Sequence, residues 1–225
     1  MSVQLTTSGF SQPINNSSRI SIDMKDVPIS GTEVMFACIG MVDAGRPNFV
    51  AAEYRVNELS AEPLDLIVAH KGAGGNSFPA AFITALKNPS TATGTINVDF
   101  DEGVAAMNGI GLVFTGLDTA SGTFGSQIGP SINTQLPNFR IEDSFITSSG
   151  NLVLDLCVSE SSNHTEHLLS SGTVANKFGE FSIGTNKFSV VWQVASSGGP
   201  LLIEREDCGG PFAGVSLTTV DFSAI

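Results

Sequence analysis

The sequence predicts an all-β fold, an antiparallel β-sandwich, and three observations lead to this prediction. Apolar and polar residues alternate with a period of two in many short segments. Glycine, proline, asparagine and serine separate these segments at short intervals, as they do between the strands of a sandwich. No segment has the helical period over more than a turn or two. We therefore expect about eight to twelve strands in the 225 residues.

Residues 93–116 are expected to form the centre of the sheet structure. Ile96, Val98 and Phe100 alternate with polar residues, which is typical of a half-buried strand. A short Asp-Glu-Gly break follows at residues 101–103, and residues 107–114 are then apolar on both faces apart from glycines. This second run fits a strand that is covered on both sides. The pattern predicts two strands with a break between them.

Other segments have the same strand pattern, and two of them leave an alternative open. Residues 49–59 favour a strand, although 51–61 also fit a helix. Residues 78–86 fit a strand or a brief helical turn because Pro79 and alanines interrupt them. The remaining strands are expected at residues 19–24, 33–42, 64–70, 130–136, 140–146, 152–159, 178–183, 187–195, 201–206 and 213–222. Loops are expected at residues 72–77, 117–127 and 160–175.

Two of these strands show which of their faces is buried. The clearest alternation lies in residues 187–195, where one face is wholly apolar. The residues expected to face the core together are Leu152, Leu154, Leu156, Phe188, Val190, Trp192 and Val194.

Residues 1–18 are expected to form an extended N-terminal arm, followed by a single sandwich domain over residues 19–225. The segment is mostly polar and contains Pro13 and an Asn-Asn-Ser-Ser run. Such a segment cannot offset the entropy of its own ordering. We expect it to become ordered on a neighbouring chain, with Val3, Leu5, Phe10 and Ile14 as anchors.

The composition excludes several partner classes. The chain has 10 basic and 22 acidic residues, a formal net charge of −12. Nucleic acid and anionic membranes are therefore not expected as partners, since both need clustered lysine and arginine. Charged residues make up only 14%, against roughly 25% in ordinary domains. A surface of small neutral polar residues suits close packing against neighbouring subunits.

The low charge, the small polar surface and the N-terminus suggest a subunit of an assembly made inside a cell. Cys38, Cys157 and Cys208 are too few and too far apart for a disulfide framework or a paired-cysteine zinc site. Cys38 and Cys157 are expected to be buried. No basic and apolar leader is recognisable at the N-terminus.

The order of the strands resembles a group of jelly-roll, lectin-like β-sandwich domains of bacteriophage virion proteins and bacterial surface proteins. The resemblance rests on Asn-Pro with a threonine-rich strand at residues 88–100, Gly-Leu-Asp-Thr at 116–119, a Leu/Val/Asp strand at 152–156 and Ser-Val-Val-Trp at 189–192. It covers about residues 30–222, and its motifs are structural. The group has no shared catalytic residues to carry over.

Candidate site residues were weighed against structural interpretations. His164 and His167 are three residues apart with Glu166 between them, but surface loop histidines are favoured over a metal site. The carboxylate groups at residues 99–102 and 204–207 could bind calcium, yet they do not match a calcium loop, and solvated turns are favoured. The glycine-rich residues 72–76 lack the lysine of a phosphate-binding loop. We assign no catalytic, cofactor-binding or metal-binding residue, and no cofactor.

The resemblance and the composition together imply a non-enzymatic, jelly-roll-like virion structural protein, assembled in the host cytoplasm. The first expectation is a capsid decoration protein that stabilises the shell, a homo-oligomer (a trimer) bound to the major capsid protein or other virion proteins. The alternative is a host-recognition module of a tail or head fibre that binds cell-surface carbohydrate. The single tryptophan and single tyrosine disfavour the alternative, because sugar sites commonly use exposed aromatic rings.

Overall fold

The fold is all-β, as the alternation of the sequence predicts, and we describe it from a computed structural model. The structure describes residues 3–28, 31–45, 47–56, 60–72, 78–90, 92–117, 119–120, 122–128, 141–159, 165–169, 176–183, 186–206 and 212–220. The strands within these residues are β1 (Gln4–Phe10), β2 (Ile14–Val27), β3 (Val34–Asp43), β4 (Phe49–Val56), β5 (Ser60–Pro63), β6 (Asp65–Lys71), β7 (Phe78–Lys87), β8 (Ala92–Thr115), β9 (Thr123–Ile128), β10 (Ile141–Thr147), β11 (Leu152–Ser159), β12 (Thr165–Leu169), β13 (Asn176–Ile183), β14 (Asn186–Val194), β15 (Gly199–Glu206) and β16 (Phe212–Val220).

The strands form three antiparallel sheets that pack against one another. The largest has the order β1-β2-β8-β3-β7-β6, with β4 paired to β8 and β5 paired to β4. A five-stranded sheet has the order β13-β14-β11-β16-β9, and a three-stranded sheet has the order β10-β15-β12. The predicted antiparallel β-sandwich is confirmed.

The main apolar core, here called the sandwich core, fills the space between the eight-stranded and five-stranded sheets. β3, β8 and β11 supply Phe36, Phe114 and Leu154, all fully buried. Gly40 on β3 faces this core, and a Cβ there would lie 2.7 Å from Phe188 Cδ2. The absence of a side chain at Gly40 therefore lets the two sheets approach. Leu152, Leu154, Leu156, Phe188 and Val190 are buried in this core, and Trp192 and Val194 pack against it, as the alternation predicted.

A second core, the fold-over core, lies on the other face of the eight-stranded sheet. The first half of β8 pairs with β2 and β4, and the second half pairs with β1 and β3. A Cβ at Gly111 would lie 3.1 Å from Ile96 Cδ1, although the two residues would be about 50 Å apart along a straight strand. β8 therefore bends back and folds the sheet over on itself. Ile20, Ile22, Met35, Ile39, Tyr54, Phe82, Ile96 and Val98 are among the residues that fill the enclosed space.

A third, small cluster joins the five-stranded sheet to the three-stranded sheet. It consists of the buried residues Val153, Val191, Leu201 and Ile203. Residues on β3 and β11 are buried on both faces because each strand lies between two apolar layers. Cys38 and Cys157 are on these two strands, and both are buried free thiols, as expected.

The expectation of an N-terminal arm is wrong for the residues that the structure describes. β1 pairs with β8 from Gln4 opposite Thr115 to Phe10 opposite Ile110, and β2 begins at Ile14. Val3 is buried in the sandwich core, and Leu5 packs against it. The polar residues of this segment become ordered because their backbone groups complete the sheet of their own chain.

Other boundaries also differ from the sequence prediction. The break at residues 101–103 does not end a strand: β8 continues through it, and its charged side chains are exposed. β9 begins inside the predicted loop 117–127 and ends one residue beyond it, β12 lies inside the predicted loop 160–175, and β5 was not predicted. Residues 49–56 and 78–87 are strands, so the helical alternatives are wrong. The predicted strand 130–136 and most of the loop 72–77 lie outside the described residues.

Candidate functional site

The outer face of β2, β8 and β4 carries polar side chains, and we call it the polar face. These strands bury alternate residues in the fold-over core, so the intervening polar residues face outward. The register places Arg19 opposite Asp99, Ser21 opposite Asn97 and Asp23 opposite Thr95. On the other side of β8, Glu53 lies opposite Asn97, and Arg55 lies opposite Thr95.

Side chains on the polar face bind one another in cross-strand pairs. Arg19 donates from Nε to Asp99 Oδ1 at 2.6 Å and from Nη2 to Asp99 Oδ2 at 2.8 Å. The hydrogen bonds and the charge of Asp99 raise the pKa of the Arg19 guanidinium. Ser21 Oγ donates to Asn97 Oδ1 at 2.7 Å, and Thr95 Oγ1 donates to Asp23 Oδ1 at 3.2 Å. These pairs hold the surface groups in fixed positions.

Arg55 binds a carboxylate on its own strand. Its Nε donates to Glu53 Oε1, and its Nη2 donates to Glu53 Oε2 at 3.1 Å. These hydrogen bonds and the negative charge of Glu53 raise the pKa of Arg55. The pairing fixes the direction of the guanidinium along the face.

A cavity of about 540 Å³ opens at one end of the polar face. Its walls come from β2, β8 and β4, and the lining residues are Asp23, Met24, Lys25, Arg55, Thr93, Gly94, Thr95 and Asn97. The register of β2 and β8 shifts between Met24 and Val27, where Asp26 has a positive φ of 52°. This bulge ends the regular pairing of the two strands beside the cavity.

Gly94 allows β4 to lie close to β8 beside this cavity. A Cβ on Gly94 would lie 2.5 Å from the carbonyl oxygen of Arg55 and 2.6 Å from Tyr54 Cε2. The ring of Tyr54 therefore packs directly against the backbone of Gly94. Burial, together with the negative charge of Glu62, raises the pKa of the Tyr54 phenol.

A second polar cluster lies near the bend of β8, away from the cavity. Asp101 accepts hydrogen bonds from Asn48 N at 2.6 Å and from Asn48 Nδ2 at 2.7 Å. Lys71 Nζ donates to Asn48 Oδ1 at 2.7 Å. Asp43 Oδ1 accepts from the backbone of Gly45 at 2.5 Å, and Asp43 Oδ2 accepts from the backbone of Ala105. The contacts of Asp43 and Asp101 therefore connect the segment between β3 and β4 to the middle of β8.

Asp101 should make this cluster sensitive to acid. The side-chain and then the backbone hydrogen bond from Asn48 lower the pKa of Asp101. Its contribution to stability is therefore complete above its unfolded-state pKa of about 3.9 and is lost as the pH falls through the lowered folded-state value. We expect Asn48→Ala to destabilise the protein at pH 7 and to differ less from the wild type at pH 3, measured by urea unfolding.

The matched control for Asn48→Ala is Glu102→Gln, which removes a neighbouring exposed carboxylate without removing the Asn48 contacts. A difference between Asn48→Ala and wild type that stayed constant from pH 7 to pH 3 would contradict the role of Asp101.

The other sequence candidates are only partly described. Glu166 and His167 lie on β12, opposite Arg205 and Glu204, while His164 lies outside the described residues. Among the residues that the structure describes, no three or more histidine, cysteine, aspartate or glutamate side chains are grouped as metal ligands. The described residues also contain no helix suited to spanning a membrane.

The sequence pattern does not indicate that the polar face forms a site. The alternating polar residues in 19–25 and 93–99 indicate exposed strand faces. They do not indicate that these strands are neighbours, or that a bulge at Asp26 opens a cavity.

No protein-family model matches the chain, and no curated protein matches it. The partial N-terminal region of an enterococcal surface protein is a similar solved structure, with 8% identity and a TM-score of 0.21. That similarity covers 91% of this chain and 85% of the other chain.

Proposed function

We propose that this chain is a non-enzymatic bacteriophage virion structural protein, a capsid decoration protein that binds and stabilises the shell. The observation that carries the proposal is the placement of its exposed large apolar side chains. Phe10, Val50, Leu66 and Ile146 are 49%, 59%, 40% and 82% exposed, and they lie on four different strands. An exposed apolar side chain can act as an anchor where a neighbouring subunit buries it.

The packing of the interior supports a structural role. Three apolar clusters occupy the spaces between the sheets, and the sandwich core and the fold-over core share β3 and β8. A scaffold packed in this way presents fixed surfaces, and adhesion would come from the area that those surfaces bury against the shell.

Attachment can be tested by adding purified protein to particles that lack it and measuring bound copies by mass spectrometry. We expect Ile146→Ser to reduce occupancy, because this highly exposed side chain contributes little to folding but can be buried at an interface. The matched control Thr123→Ser alters an exposed strand residue and should leave occupancy unchanged. Full occupancy by a variant with serine at Phe10, Val50, Leu66 and Ile146 would contradict the anchoring mechanism, and absence of binding by the wild type would contradict the decoration role.

The second candidate function is a host-recognition module of a tail or head fibre that binds cell-surface carbohydrate. The cavity on the polar face favours it, because the cavity combines amide, hydroxyl, carboxylate and cationic groups. A protein that does not bind particles but binds host-cell polysaccharide would replace the decoration role with this one.

A further inference from the structure

The cavity on the polar face has more hydrogen-bond donors than its own residues use. Among the described residues, Lys25 has no hydrogen bond or ion pair, and Arg55 Nη1 and Asn97 Nδ2 have no acceptor. Two of the acceptors are already occupied: Asp23 Oδ1 accepts from Thr95, and Asn97 Oδ1 accepts from Ser21. The remaining donors therefore favour a ligand that is rich in acceptor oxygens.

The cavity is less acidic than the chain as a whole. Its ionisable lining residues are Asp23, Lys25 and Arg55, and together with Glu53, which is bound to Arg55, they make two cations and two carboxylates. The whole chain has a formal net charge of −12. Arg55 is also bound to Glu53, so Lys25 is the cation that a ligand anion can reach without competing with a described partner. A ligand with an anionic group is favoured at this place on an otherwise acidic molecule.

The remaining groups fit sugar hydroxyls better than a protein segment. The second carboxylate oxygen of Asp23 can accept a hydrogen bond, and the hydroxyl of the exposed Thr93 can donate or accept one. Met24, the one large apolar lining residue, is fully buried in the fold-over core. Interfaces with proteins usually have an apolar centre, which this cavity does not offer to a partner. The volume of about 540 Å³ is within the usual range of small-molecule sites.

We propose that this cavity binds an acidic saccharide, with the sugar carboxylate at Lys25 and the Nη1 of Arg55, and sugar hydroxyls at Asn97, Asp23 and Thr93. The biological role of this site, recognition of a host-cell sugar, rests on the second candidate function. The site itself is argued from the described residues, so a failure to bind acidic sugars would leave the decoration role, which is tested on particles, unaffected.

Direct binding can be measured by titrating isotope-labelled protein with oligogalacturonate and with sialyllactose. The neutral controls are the methyl esters of the same two sugars, which keep the hydroxyls and lack the carboxylate. We expect amide shifts in residues 93–97 and an affinity at least about tenfold higher for an acidic sugar than for its control, as one charge-assisted hydrogen bond provides. Equal affinity for the neutral controls, or no shift in these residues with either acidic sugar, would overturn the proposal.

Poly-L-glutamate separates a sugar site from a site for an acidic protein segment. It supplies carboxylates without sugar hydroxyls. We expect it to bind more weakly per carboxylate than the acidic sugar does. Equal or tighter binding of poly-L-glutamate at residues 93–97 would overturn the saccharide assignment.

Two matched pairs of variants test the cavity residues. Lys25→Gln should weaken acidic-sugar binding about tenfold, whereas Lys25→Arg should retain most of it, because arginine keeps the charge. Thr93→Asp should abolish binding by adding a negative charge, whereas Thr93→Asn should have a smaller effect. These side chains are exposed, so unchanged thermal unfolding is expected for all four. Retained binding in folded Lys25→Gln and Thr93→Asp proteins would overturn the site.

Discussion

Phe114→Ala is expected to lower the free energy of unfolding by about 3–5 kcal/mol, the usual cost of removing a fully buried phenylalanine side chain. Phe114 is on β8 and is 0% exposed. Its ring contacts Phe36 of the same sheet edge to face, with centroids 6.0 Å apart, and Trp192 of the opposite sheet, with centroids 5.2 Å apart. The substitution would remove a link between the two sheets and leave a cavity in the sandwich core.

Urea unfolding monitored by circular dichroism would measure this loss. The chain has one tryptophan, so the emission of Trp192 would report separately on the packing beside the new cavity. The matched control is Phe10→Ala, because Phe10 is 49% exposed and its loss should have a much smaller effect. A loss below about 1 kcal/mol for Phe114→Ala would contradict the assigned packing.

Deletion of residues 2–10 is expected to destabilise the whole fold. It removes β1, the buried Val3 and the core contact of Leu5. Burial of the Val3 side chain stabilises by about 1.5–3 kcal/mol, and the partly buried Leu5 adds a smaller contribution. The deletion also exposes the β8 backbone groups that pair with β1, and an unpaired strand edge promotes aggregation.

Thermal unfolding and size-exclusion chromatography of the truncated protein would test this expectation. Because the truncation can fail to fold, Val3→Ala and Leu5→Ala provide milder tests, with Gln4→Ala as the exposed control between them. An independent arm would give a soluble truncated protein with an unchanged melting temperature, and that result would contradict the role of β1.

The strands with a clear period of two could be predicted from the sequence, and their buried faces with them. The inward residues of β14 follow from its alternation, and its bounds lie within one residue of the predicted 187–195. Its opposite face, which the alternation indicates as outward, is also buried: Ser189, Val191 and Gln193 are covered, because the three-stranded sheet packs there through Leu201 and Ile203. β1 could not be predicted in this way, since its residues are mostly polar and its order comes from pairing with Ile110–Thr115 of β8. The break expected at Asp101–Gly103 was wrong because exposed charges are compatible with a strand that bends in solvent.

The candidate site was harder to predict than the fold. Arg19 and Asp99 are 80 positions apart in the chain, and only the sheet order places them together. The cavity depends on the register shift after Met24 and on the close approach of β4 at Gly94. A single sequence contains no local pattern for either feature, because both depend on which strands become neighbours.

β8 runs through both halves of the folded sheet, and this course should make the unfolding of the two cores cooperative. Ile96 and Val98 lie in the fold-over core, and Ile110 and Leu112 lie in the sandwich core. Opening either core would disturb the same strand, so partial unfolding of one core alone is unfavourable. We therefore expect the amide hydrogens of β8 to exchange with solvent only when the two cores unfold together. The distant pairings that β8 makes along the chain should also make folding slow.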